Sequence, residues 1–88
     1  MIVGINRVVQ HEGRDLHVQV EDLGLDQACF EVRVYEGGGV LWRRRIPYDD
    51  ILRQGLPKTE QDDALRALME KTLHTVQAGI ARGKVLGG

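Results

Sequence analysis

The chain is poor in the residues that carry most small-protein chemistry. It holds one cysteine in 88 residues, so Cys29 excludes an internal disulfide and any cysteine-based zinc cluster. It has one tryptophan, one phenylalanine and two tyrosines, too few rings for an aromatic-lined groove. Neither sign of charge dominates: twelve Lys and Arg stand against thirteen Asp and Glu, for a formal net charge of −1. That balance gives no electrostatic footprint for nucleic acid and no polybasic membrane signal. No apolar run is long enough to span a bilayer, and Met1-Ile2-Val3-Gly4 does not read as a signal peptide. A cytoplasmic location follows by elimination. No cofactor-binding motif is evident.

The two prolines, Pro47 and Pro57, divide the sequence into two kinds of pattern. Before Pro47 the period is two. Ile2 to Gln10 is rich in β-branched residues and runs into the glycine-containing turn His11-Glu12-Gly13-Arg14. Leu16 to Glu21 alternates apolar and polar, as a half-buried strand does. After the break Asp22 to Asp26, the segment Ala28 to Tyr35 alternates again, with Ala28, Phe30, Val32 and Val34 inward. Glu36-Gly37-Gly38-Gly39 is a turn, and Val40 to Ile46 is a fourth strand with Val40, Trp42 and Ile46 inward. Adjacent Val8 and Val9 leave the facing of the first strand open.

Beyond Pro47 the period becomes helical. Tyr48 to Gln54 reads as a short helical turn closed by Gly55. Thr59, as N-cap, with Asp62 three residues on, predicts the start of a long helix. Leu65, Leu68, Met69, Thr72, Leu73, Val76 and Ile80 fall on one stripe at helical spacing, and Gly83 supplies the C-cap. These patterns predict an α+β domain over residues 1–83, in the order ββββα. A four-stranded antiparallel meander carries one long C-terminal helix on one face, with the short helical turn between, and residues 84–88 form a frayed tail. An apolar fraction of 42% suits such a fold, although a domain this small gains from sharing an apolar seam with a partner.

Polar residues outside the core are the candidates for recognition. His17, Gln19 and Glu21 project from the solvent parity of the second strand, with Glu31 and Arg33 beside them and Arg43 and Arg45 beyond. The functional readings are a binding face or a His17–Glu21 acid–base pair. The plain alternative is a solvated sheet face held by cross-strand ion pairs, and for catalysis the plain alternative is favoured, since an open face excludes no water. On the helix, Ala67, His74, Ala78 and Ala81 form a smooth outer strip bordered by Glu70 and Lys71, and Lys71 and His74 join the candidate partner-binding residues. His11, His17 and His74 lie on three different surfaces, so no metal site is expected. Arg44 takes the inward parity of Trp42 and Ile46, a device against edge-to-edge aggregation if this strand is an edge.

The strand Leu16-His17-Val18-Gln19-Val20-Glu21-Asp22-Leu23-Gly24, the Tyr35-Glu36-Gly37-Gly38 turn, and Leu68-Met69, His74 and Gly83-Lys84 of the helix half together resemble a small uncharacterised bacterial domain of myxobacteria, geobacters and their relatives. That domain's strand reads H-[VI]-Q-T-E-D-x-G and its helix L-M-x-x-Q-H-K. This chain departs from it at Val20, Leu73 and Thr75. The resemblance implies a self-contained module and names no reaction. The sequence therefore points to a non-catalytic protein–protein interaction module or small regulatory subunit, self-associating as a homodimer. Single-stranded nucleic-acid binding through Arg33, Arg43, Arg45 and Tyr35 is the alternative, and a His17/Glu21 enzyme the second alternative.

Overall fold

A computed structural model describes residues 4–84. Four strands, β1 (Gly4–His11), β2 (Arg14–Asp22), β3 (Cys29–Glu36) and β4 (Gly39–Pro47), are followed by a short helix α1 (Asp49–Arg53) and a long helix α2 (Lys58–Ala81). The strands pair antiparallel in sequence order, which makes β1 and β4 the two edges. The expected ββββα architecture is the one observed.

Tight turns set this order. Between β1 and β2 the chain turns through Glu12 and Gly13, and between β3 and β4 through Gly37 and Gly38, all four at positive φ. Two successive positive φ values match the twist of a two-residue hairpin, and glycine reaches them without a steric penalty. Register then fixes facing. Val9 pairs with Leu16 and Val8 with His17, so Val9 joins the core side and Val8 is left 59% exposed.

The core is the predicted one at its centre. Leu16, Val18 and Val20 of β2 and Phe30, Val32 and Val34 of β3 are sealed against Leu65, Met69, Leu73, Val76 and Ile80 of α2. Complete burial of each such side chain is worth about 1.5–3 kcal/mol. Tyr48 joins this cluster from the β4–α1 junction, its ring centroid 4.8 Å from that of Phe30.

Four local expectations need correction. Ala28 does not open the third strand; it takes φ 50° in the preceding turn, and β3 begins at Cys29. Val40 is not inward. A bulge opposite Val34 and Tyr35 inserts Leu41, so Val40 pairs with Tyr35 and is 49% exposed. Trp42, Ile46 and Leu68, expected in the sealed core, are only partly buried. Finally, α2 starts two residues earlier than a Thr59 cap requires: Pro57 occupies the N-cap position with no side-chain cap bond. Proline tolerates the position before a helix because the first-turn N–H groups lack intrahelical partners anyway.

The C-terminus of α2 ends as its sequence indicates. Gly83, at φ 74°, donates its N–H to the Ile80 carbonyl, and Lys84 donates to Gly79, both at 2.9 Å. That double bond pattern is the Schellman termination. Lys84, expected to begin a frayed tail, instead closes this cap; residues 85–88 and the start of the first strand at Ile2 lie outside the described residues.

Candidate functional site

Two surfaces carry the candidate residues, one on each face of the sheet. The first is the polar face, away from α2. Alternation and register place Glu21, Glu31 and Arg45 in one cross-strand row, Gln19, Arg33 and Arg43 in the next, and His17, Tyr35 and Val40 in a third. Six sequence-predicted residues, His17, Gln19, Glu21, Arg33, Arg43 and Arg45, are thus assembled on one face.

Arg33 is the hub of that face. Its Nε donates to Glu31 at 2.5 Å, and one terminal nitrogen donates to Gln19 and to the Tyr35 hydroxyl, each at 3.3 Å. The same nitrogen lies 3.3 Å from Glu21. Glu31, nearly buried, receives Arg45 as well, at 3.6 Å. The hydrogen bond from Arg33 holds the Glu31 carboxyl below its ordinary range against the opposing effect of burial, and keeps the guanidinium pKa raised. Both groups therefore stay ionised, and Glu31 is fixed as an acceptor.

The geometry does not bring His17 and Glu21 together. They sit four residues apart on one strand, about 13 Å at roughly 3.3 Å per residue, and Glu21 is engaged by Arg33. His17 instead borders a shallow depression of about 340 Å³ with Asn6, Gln19, Tyr35 and Gly38. Arg43 is exposed and makes no ion pair among the described residues. Charge on this face is thus largely compensated, apart from Arg43.

The second surface is one that strand parity alone did not reveal. α2 lies over β1 and β2, and its side chains reach as far as β3. β4 is covered only in part, with Trp42 and Ile46 packed against the core and still half-exposed. An open trough of about 390 Å³ runs between α2 and β4, lined by Trp42 and Ile46 from the sheet and Leu68, Val76 and Gly79 from the helix. Arg44, Lys71 and Lys84 also line it. Lys71 is the one predicted helix residue that belongs here. His74 is exposed elsewhere on α2 and meets neither surface. The signal available in the sequence was the pair Trp42 and Ile46 on an edge strand, two large apolar groups at the margin of what one helix can cover.

No family model, curated protein or solved structure matches this chain at a significant level. The fold and these two surfaces therefore carry the functional argument. Among the described residues, no three His, Cys, Asp or Glu side chains cluster as metal ligands, and no helix is long and apolar enough to cross a membrane.

Proposed function

We propose that this protein is a non-catalytic protein–protein interaction module, a small subunit that acts by docking onto another polypeptide. The observation that carries this reading is the uncovered trough beside β4. An indole, an isoleucine and a leucine line it, all three only partly buried at the margin of a sealed central core. A domain of this size has little apolar area to spare, and exposed apolar surface rimmed by polar groups is the usual mark of an interaction site. The polar face adds a second, prearranged set of hydrogen-bonding groups.

A tagged chain purified from its own cells should retain a partner in near-stoichiometric amount. Thr75→Arg, which fills the trough from an exposed helix position, should lose that partner while melting like the wild type. Light scattering across a concentration series tests the self-associating form of the same reading. A chain that stays monomeric and purifies alone refutes both forms.

Nucleic-acid binding through Arg33, Arg43, Arg45 and Tyr35 has weaker support. Glu21 and Glu31 neutralise much of the positive charge there, and among the described residues Tyr35 and the His17 imidazole opposite it are the rings in those rows. Salt-dependent titration with a labelled oligonucleotide discriminates, because phosphate contacts weaken steeply with added salt.

A further inference from the structure

We infer that the trough between α2 and β4 seats an acidic amphipathic α-helix from a partner protein, laid beside α2 as the second roof element of the sheet. This rests on the protein-docking reading and names the class of partner.

Strands spaced about 4.8 Å apart place the axes of a four-stranded sheet across roughly 14 Å, whereas a helix with its side chains is about 10 Å across. One helix roofs one side of such a sheet and leaves the other. Here α2 sits over β1 and β2, and on the same face of β4 Trp42 and Ile46 are only partly buried while Arg44 is exposed. The helix wall of the trough runs from Leu68 to Gly79, about 16 Å, or three turns at 1.5 Å per residue. It is a long, open channel, and a second helix has the shape that fills it.

Arg44, Lys71 and Lys84 border the channel; among the described residues no carboxylate lines it and none of the three cations makes an ion pair. The complementary ligand has an apolar stripe facing Trp42, Ile46, Leu68 and Val76, with Glu or Asp along its flanks to meet the cations. Helix-in-groove docking uses anchors at i, i+3, i+4 and i+7. The α2 helix of a second copy is a poorer fit, since its apolar stripe is spent in the core and its exposed positions mix Lys58, Arg66 and Lys71 with Glu60 and Asp63.

Trp42 makes the test direct, because it is the sole tryptophan and it lines the channel. The probe is a synthetic helix of about five turns with leucines on one stripe, glutamates on the flanks and no tryptophan. Its twin carries lysine in place of every glutamate. The full-length chain is titrated with each while Trp42 emission is recorded. The glutamate peptide should shift the emission to the blue and bind roughly tenfold or more tighter than the twin, a gap of about 1.4 kcal/mol. The double variant Arg44→Glu/Lys71→Glu, changed only at exposed positions, should reverse that preference with an unchanged melting curve.

Equal binding of the two peptides overturns the acidic class and leaves protein docking in the trough intact. No response of Trp42 to either peptide overturns the helix ligand. If Thr75→Arg still releases a cellular partner in that case, the docking reading survives and its ligand is not a helix.

Discussion

Replacing Tyr48 by phenylalanine should lower the melting temperature by about 6–12 °C, for reasons that can be worked from the geometry. The Tyr48 ring is 1% exposed and its hydroxyl donates to Asp22 at 2.7 Å. The same carboxylate oxygen accepts the Gly24 N–H at 2.9 Å, and the Tyr48 backbone N–H donates to Ala28 at 2.8 Å. One residue at the β4–α1 junction thus ties down both ends of the loop between β2 and β3. Phenylalanine preserves the ring packing on Phe30 and deletes only the donor. A hydrogen bond to a charged group is worth about 1.5–3 kcal/mol. Asp22 is only half-buried and can recover some hydration, so the lower end applies. At roughly 4–8 °C per kcal/mol for a domain of this size, about 1.5 kcal/mol gives the stated shift. Circular dichroism melts of wild type, Tyr48→Phe and Asp22→Asn measure it, with the asparagine variant falling less because it keeps an acceptor. A Tyr48→Phe melt indistinguishable from wild type would show that the phenol contributes nothing to holding the loop.

Other consequences follow from burial, charge and backbone conformation. Leu73→Ala should cost about 2–5 kcal/mol, because Leu73 is sealed; Leu68→Ala, at the open trough, should cost clearly less, and equal losses in denaturant titrations would contradict the partly covered β4. Glu31 and Glu36 are held below their ordinary 4.5 by hydrogen bonds from Arg33 and Arg14. Their contribution is complete above that value and is lost as pH falls below it, so melts from pH 6 to pH 3 should show a decline that Glu31→Gln makes shallower. The Tyr48 phenol is raised above its ordinary 10.0 by burial and then by Asp22; its contribution is complete below pH 10.0 and is lost as pH rises beyond it, which ultraviolet titration of tyrosinate follows. Gly83→Ala, forced to keep φ 74°, should destabilise by about 1 kcal/mol.

Alternation over β2 and β3 was legible because two-residue periodicity and the burial of one sheet face are the same fact seen twice. Val18 and Val32 face the helix as their parity requires, and the helical stripe from Leu65 to Ile80 meets them. What could not be read locally depended on pairing. Val40 has the parity of Trp42, but one extra residue at Leu41 turns it to the other face. A bulge leaves no composition signature in a strand reading Gly39-Val40-Leu41-Trp42. Ala28 illustrates the same limit: an apolar residue beside a strand looks like strand until the backbone bonds to Gly24 close the turn.

The trough shows why a correct fold can still give an incomplete surface. Parity assigns a residue to a face, yet burial also requires something opposite that face, and the width of the covering element is not written in the strand that needs cover. Trp42 and Ile46 were assigned to the correct face and still lie at the open side of it. The polar face needed no such information, since cross-strand neighbours at fixed spacing follow from register alone, and Arg33 reaches Glu31 two residues away on its own strand. A sheet with one helix therefore discloses its polar surface from sequence and conceals its apolar vacancy until the helix has been placed. Arg44 marks the difference. As an inward charge on an edge strand it discourages pairing with another sheet, and beside a half-buried indole it sets a positive rim that the proposed acidic helix would meet.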